Sequence, residues 1–162
     1  MIDFSIFEKK TNIIFNDKKL LEQAFIHRSY INENIGSHLS HNERLEFLGD
    51  AVLELIVTDY LYKKYPDQDE GSLTAYRSSL VNAVIIGEIA LSLGMNEYLL
   101  LSKGEAKDIG KARGYILANT YEAYVGAVYL DRGYDVARDF IAKTLFNKID
   151  TIVAKKLWRD PK

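Results

Sequence analysis

Six side chains in two stretches of this chain have the types and spacing to do chemistry together. In HNERLEFLGDAVLEL, His41 to Leu55, the carboxylates are Glu43, Glu46, Asp50 and Glu54. At about 100 degrees of helical rotation per residue they fall within an arc of about 80 degrees and form one stripe. Apart from Arg44, nearly everything else from Leu45 to Val57 is apolar or small, the pattern of a helix surrounded by protein. In ILANTYEAYVGAVYL, Ile116 to Leu130, the strongly polar side chains are Asn119 and Glu122, three positions apart and therefore neighbours on one helical face. Ala123 and Gly126 beside them would let another helix approach closely, so the two polar stripes can face each other across a tight crossing.

Closely spaced carboxylates in an apolar setting repel one another and lose hydration, so they require cations, hydrogen-bond donors or protons. Hard oxygen donors on two rigid helices, in a chain without cysteine, suit Mg²⁺, with Mn²⁺ as a substitute. Other readings of the same residues stay open. Ser40-His41-Asn42-Glu43 has capping-box spacing, which would turn Glu43 back to the helix start. Glu54 could be solvated or paired with a neighbouring base, and Glu46, Asp50 and Glu122 could sit in buried salt bridges with Arg44, Arg28 or Arg77. His27 reads as a packed or hydrogen-bonded residue, and His38 and His41 as loop or helix-start positions.

The elements that must position these groups are helical. Apolar residues recur at helical spacing almost throughout, and no alternating strand pattern is visible. The fold class is all-α, a helical bundle in a single domain over 1–162. The spacing predicts helices over 3–11, from an Asp17 cap to about Arg28, over 42–65 ending at Pro66, and over 71–81 and 83–93 with Gly94 as C-terminal cap. Two more are predicted over 115–130, ending before Gly133, and over 135–156, where Asp135 could cap. Residues 32–40 read as a loop. The basic, glycine-containing stretch SKGEAKDIGKARGY, residues 102–115, reads as an exposed, mobile connection, with Lys103, Lys107, Lys111 and Arg113 as candidate phosphate contacts.

Bulk properties narrow the function classes. The 162 residues suffice for one real core, and 48 % hydrophobic with 27 % charged residues is ordinary for a globular protein. The absence of cysteine excludes disulfides and thiolate-ligated metal sites. No stretch approaches a membrane span, and a cytoplasmic location is expected. A formal net charge of -2 gives no global pull toward polyanions, so any nucleic-acid partner must be held locally. No nucleotide cofactor is expected: Gly104 and Gly110 are separated by five residues instead of a P-loop's four, and Ala112 stands at the required hydroxyl position.

NERLEFLGDAVL resembles the signature of the ribonuclease III family. AFIHRSYINEN before it, and EGSLTAYRSSLV, LSKGE and ILANTYEAYVGAVYLDRG after it, resemble family blocks in the expected order, so the similarity spans essentially the whole chain. The resemblance implies a homodimeric, Mg²⁺-dependent endonuclease that cuts double-stranded RNA, leaving 5′-phosphates and two-nucleotide 3′ overhangs. By carry-over, Glu46, Asp50 and Glu122 match catalytic and metal positions, Asn119 a metal position, and Glu43 an adjacent signature glutamate. Phe47 matches a dimer-interface aromatic, ordinary core packing being the alternative, and Glu70 matches a position near the partner's active site. The family usually has aspartate where this chain has Asn119. The amide keeps an oxygen ligand but removes a negative charge, so weaker metal binding, slower cleavage or a preference for Mn²⁺ is expected. A catalytically impaired homologue that binds or scaffolds double-stranded RNA is the alternative, and a di-metal phosphohydrolase of small nucleotides a third. The terminal WRDPK is similar to the point where bacterial members continue into a double-stranded-RNA-binding domain, which is absent from this chain.

Overall fold

A computed structural model describes residues 2–159, with side chains through Lys155. Asp160, Pro161 and Lys162, on which the reading of the terminal motif falls, lie outside the described residues.

Among the described residues ten helices follow one another: α1 (Ser5–Thr11), α2 (Lys18–Ala24), α3 (Arg28–Glu33), α4 (Glu43–Lys64), α5 (Glu70–Leu80), α6 (Ala83–Ser92), α7 (Lys103–Lys107), α8 (Lys111–Arg132), α9 (Tyr134–Ile141) and α10 (Asn147–Arg159). A 3-10 turn covers Met95–Tyr98 and a π-helical turn Ala142–Phe146. Among the described residues the β-type pairing is a single bridge, Ile26 with Leu100. The all-α expectation holds.

Local signals explain most boundaries. The Asp17 carboxylate accepts from the backbone N–H groups of Lys19 and Leu20 at the start of α2, and Asp69 does the same for Ser72 in α5. α4 ends at Lys64, one residue before the position that Pro66 disfavours in a helix. Gly94, at φ +79, takes the left-handed conformation that closes α6.

Three predicted elements are corrected. The helix expected from Asp17 to Arg28 stops at Ala24, because Phe25 and Ile26 leave it to bury their side chains and pair with Leu100. The chain then re-enters a helix, α3, with His27 as its cap. The expected mobile connection over 102–115 is α7 plus the first turn of α8. The single helix expected over 135–156 is α9 and α10 joined by the π turn, and α9 starts at Tyr134 after Gly133, without an Asp135 cap.

The helix most completely enclosed is α8. Tyr121, Ala123, Tyr124, Val125, Ala127 and Val128 are all fully buried, under α4, α6, α9 and α2. Phe7, Phe15, Phe25 and Phe140 pack their rings around Tyr124 at centroid distances of 4.9–6.3 Å. α4, expected to be surrounded, buries Leu45, Val52, Leu53, Ile56, Val57 and Leu61 but leaves Phe47, Leu55 and Tyr62 open to solvent. Outside the acidic stripe its sequence from Leu45 to Val57 is nearly all apolar or small, yet the fold covers only part of that surface.

Backbone meets backbone where α4 crosses α8. A Cβ on Gly49 would run into the Glu122 carbonyl oxygen and lie 2.9 Å from the Gly126 nitrogen, and a Cβ on Gly126 would run into the Leu45 carbonyl. The close approach expected of Gly126 is therefore present, and Gly49 is its counterpart. At the other end of the core, Glu8 is buried at 6 % exposure and fully engaged: it accepts from the Phe15 N–H at 2.8 Å and from Lys18 Nζ at 2.7 Å.

Candidate metal centre and nucleic-acid interface

Because the two glycines let the α4 and α8 backbones touch, the side chains flanking the crossing meet. Glu43, Glu46, Phe47 and Asp50 from α4 and Ile116, Asn119 and Glu122 from α8 line one open cavity of about 620 Å³, with His27, Arg28 and Asn42 completing the wall. Every metal position carried over from the sequence is therefore on the same cavity. Glu54 points along the stripe but pairs with Arg77 at 3.9 Å, as its base-paired reading expected.

The cavity is short of positive charge. Burial, the hydrogen bond with Asp50 and the charges of Asp50, Glu46 and Glu54 together push the Glu122 carboxyl up to about 9. Burial first, then Glu43 and Asp50, also raises Glu46. Among the described residues neither Glu46, Asp50 nor Glu122 has an arginine or lysine ion pair, so the buried salt-bridge reading does not hold for them. The lining itself, four carboxylates with the Asn119 amide beside them, is a set of hard oxygen donors of the kind that suits Mg²⁺ or Mn²⁺. Among the described residues no group of three or more His, Asp or Glu is arranged so that it could hold a metal ion.

The rest of the wall comes from elements that sequence reasoning did not assign to the site. Asn42 is buried, donates its amide to the Ala24 carbonyl at 2.8 Å and its backbone N–H to the Ile26 carbonyl at 2.9 Å, and so ties the start of α4 to the end of α2. Asn42 precedes the first helical residue, and no side-chain capping bond is made there; the capping-box role for Glu43 is not adopted, and Glu43 instead lies 3.6 Å from Arg28. His27 Nδ1 accepts the Ser29 N–H at 3.2 Å and lies 2.8 Å from Ser29 Oγ, consistent with a hydrogen-bonded structural histidine. Burial holds its imidazole below the usual range, with Glu105 opposing. The signal for His27 and Arg28 was present in AFIHRSY; that for Asn42 was its place immediately before the acidic stripe.

The basic segment is built into the fold at both ends. The Ser102 N–H donates to Ser29 Oγ and the Lys103 N–H to Glu33, each at 3.0 Å. The Arg113 guanidinium, only 8 % exposed, reaches Asn96 at 2.7 Å and the Glu105 and Ala106 carbonyls at 3.0 and 3.2 Å. Arg113 is thus withdrawn from the phosphate-contact set: its donors hold α7 in place. Lys103, Lys107 and Lys111 remain exposed.

Phe47, at 83 % exposure, is no core residue; with Leu55 and Tyr62 it forms an apolar stripe along the outer face of α4. Glu70, the first residue of α5, is also exposed. Among the described residues no helix is long and apolar enough to cross a membrane.

Comparison with known proteins gives a consistent picture. Residues 17–149 match the ribonuclease-III-like family. The chain is 47 % identical over 147 residues to Ribonuclease 3 of Geobacillus sp. (strain WCH70), an alignment covering 91 % of this chain and 60 % of that protein. It therefore spans about three-fifths of the length of such relatives. The nuclease domain of ribonuclease III from Campylobacter jejuni, whose structure is flexible in a region involved in dimer formation, superposes with a TM-score of 0.78 at 36 % identity, covering 88 % of this chain and 98 % of that one. Dicer from Pichia stipitis superposes at 0.62 with 30 % identity, over 85 % and 58 % of the two chains.

Proposed function

Because the chain belongs to the ribonuclease-III-like family, we propose that it is a double-stranded-RNA endonuclease domain whose hydrolytic centre is the acidic cavity between α4 and α8. The observation that carries this reading is the convergence of Glu46, Asp50 and Glu122, with Glu43 and Asn119 beside them, on one cavity in which burial and the neighbouring carboxylates push Glu122 up to about 9.

Glu46, Asp50, Asn119 and Glu122 would hold the Mg²⁺ or Mn²⁺. Such a bound cation supplies an activated water, charge neutralisation at the phosphorus and stabilisation of the leaving 3′ oxygen. The protein's own part is to present oxygen ligands, give up the proton that burial favours on Glu122, and position the duplex. Lys103 and Lys107 on α7, with Lys111 at the start of α8, would contact phosphates, and recognition would rest on A-form shape more than on sequence. The uncovered stripe of Phe47, Leu55 and Tyr62 supports a two-fold homodimer that buries it, bringing one cavity from each copy to the duplex and leaving 5′-phosphates with two-nucleotide 3′ overhangs. In longer relatives a further RNA-binding module would supply affinity that this near-neutral chain lacks.

Asn119, exposed on the rim, favours one second reading: a homologue that binds double-stranded RNA with little or no cleavage. Incubation with long duplex RNA and Mg²⁺ or Mn²⁺, for the wild type and Asn119→Asp in parallel, separates the two. Short duplex products with overhangs from either protein support the nuclease; duplex binding without cutting by both would replace it with the binding role.

A further inference from the structure

The cavity poses an electrostatic problem for its own substrate. Four carboxylates line it, and an RNA strand brings a negative phosphate at every nucleotide. Among the described residues on its wall, Arg28 alone carries a permanent positive charge, since His27 is held toward its neutral form. Arg28 stands at the first position of α3, its side chain 66 % exposed, paired with Glu43 at 3.6 Å across a Glu43 side chain that is itself half exposed. Such an exposed ion pair is weak and so is easily exchanged for another partner.

Its backbone, by contrast, is firmly placed. His27 on one side is bonded to Ser29, the His27 N–H donates to the Leu100 carbonyl at 3.0 Å, and Ser29 Oγ receives the Ser102 N–H. Arg28 therefore sits on a fixed mount between α7, which bears Lys103 and Lys107, and the carboxylates. A strand tracked along α7 into the cavity would meet a guanidinium, whose planar fork suits phosphate oxygens.

We propose that Arg28 is an exchange residue: it holds Glu43 while the cavity is without RNA, turns to a backbone phosphate of the incoming strand, and so releases Glu43 toward the cation site. This rests on the nuclease reading above and adds to it a substrate contact and an order of events. No covalent step is involved.

Two measurements on the 162-residue chain test it, with Arg28→Ala, Arg28→Lys, Glu43→Gln and the double variant. The first is binding of a labelled short RNA duplex across a salt series in Ca²⁺, a hard cation of the same charge. Arg28→Ala should weaken binding about tenfold and lower the magnitude of the salt slope by about 1, while Arg28→Lys keeps the slope. The second is Mn²⁺ titration without RNA. Arg28→Ala should bind Mn²⁺ about fivefold more tightly, because Glu43 is freed and a nearby positive charge is gone; in the Glu43→Gln background most of that gain should vanish. Thermal melting within about 2 °C of wild type is expected for every variant at these exposed positions. An Arg28→Ala protein with unaltered duplex affinity and salt slope overturns the phosphate contact. A Mn²⁺ gain undiminished in the Glu43→Gln background overturns the exchange. Wild type that binds no duplex at any salt would instead sink the nuclease reading, and this proposal with it.

Discussion

Glu8 and Glu122 are both carboxylates set into the interior against the same helix bundle, and they have opposite surroundings. Glu8 closes the turn between α1 and α2: one oxygen takes both the Phe15 N–H and the Lys18 ammonium, so its charge is answered by groups local in sequence. Among the described residues no arginine or lysine pairs with Glu122; its neighbours are Asp50, Glu46 and Glu54, and with burial they push its carboxyl up to about 9. Burial alone therefore does not mark a functional carboxylate. The mark is burial with compensation left for something outside the chain to supply. The fold invests in making this possible, since the α4–α8 crossing that crowds the acids together is the one where neither glycine can carry a side chain.

That contrast can be broken in several places, beginning with the crossing. Gly49→Ala should cost at least about 3 kcal/mol in denaturant unfolding, because the methyl group meets carbonyl oxygen on a buried helix and not a movable side chain. Glu122→Gln should leave folding nearly intact and remove cleavage: loss of an outer-shell partner at metal sites costs 10–100-fold, so loss of a ligand should cost at least about 100-fold in kcat/KM. Glu8→Ala should do the reverse, costing about 2 kcal/mol of stability while kcat/KM of the folded fraction is unchanged. Equal behaviour of the two variants would erase the distinction.

The pH dependence sharpens it further. A carboxyl whose folded-state pKa is raised adds stability that is full below its unfolded value of about 4.5 and is lost as pH climbs toward about 9. The metal-free protein should therefore lose stability between about pH 5 and 9, and Glu122→Gln should flatten that decline in a series of thermal melts. Cation and proton compete for the same oxygens, so Mn²⁺ uptake near pH 7 should release protons, measurable by calorimetry in buffers of different ionisation enthalpy, and should tighten with pH until about 9. The smallest effect concerns Phe47→Ala, which should change the unfolding free energy of the single chain by no more than about 0.5 kcal/mol, yet shift sedimentation toward monomer.

Much of this arrangement was legible in the residues. The Asp17 cap, the stop before Pro66 and the Gly94 turn are local signals, and each marks a boundary in the structure. The acidic stripe and the Asn119–Glu122 pair were readable because helical rotation alone puts them on common faces. What could not be read depends on partners distant in the chain. Phe25 and Ile26 look helical until Leu100 arrives to pair with Ile26. Arg113 looks like a solvated cation in a basic loop, and only the fold supplies the carbonyls of α7 and the Asn96 side chain that take up its two terminal nitrogens. α4 looks enclosed because nearly everything beside its acidic stripe is apolar or small, and composition does not say whether the cover comes from the same chain.

The Gly49–Gly126 contact has a consequence for how such a protein can drift. The separation between the ligand-bearing stretches of α4 and α8 is set by main chain resting on main chain, with no side-chain spacer between them. Isosteric exchanges among the surrounding leucines, valines and tyrosines can accumulate without resetting the gauge, and the spacing of the two acidic stretches is insulated from the slow turnover of the interior. Changing that spacing requires replacing one of the two residues that have no side chain to vary.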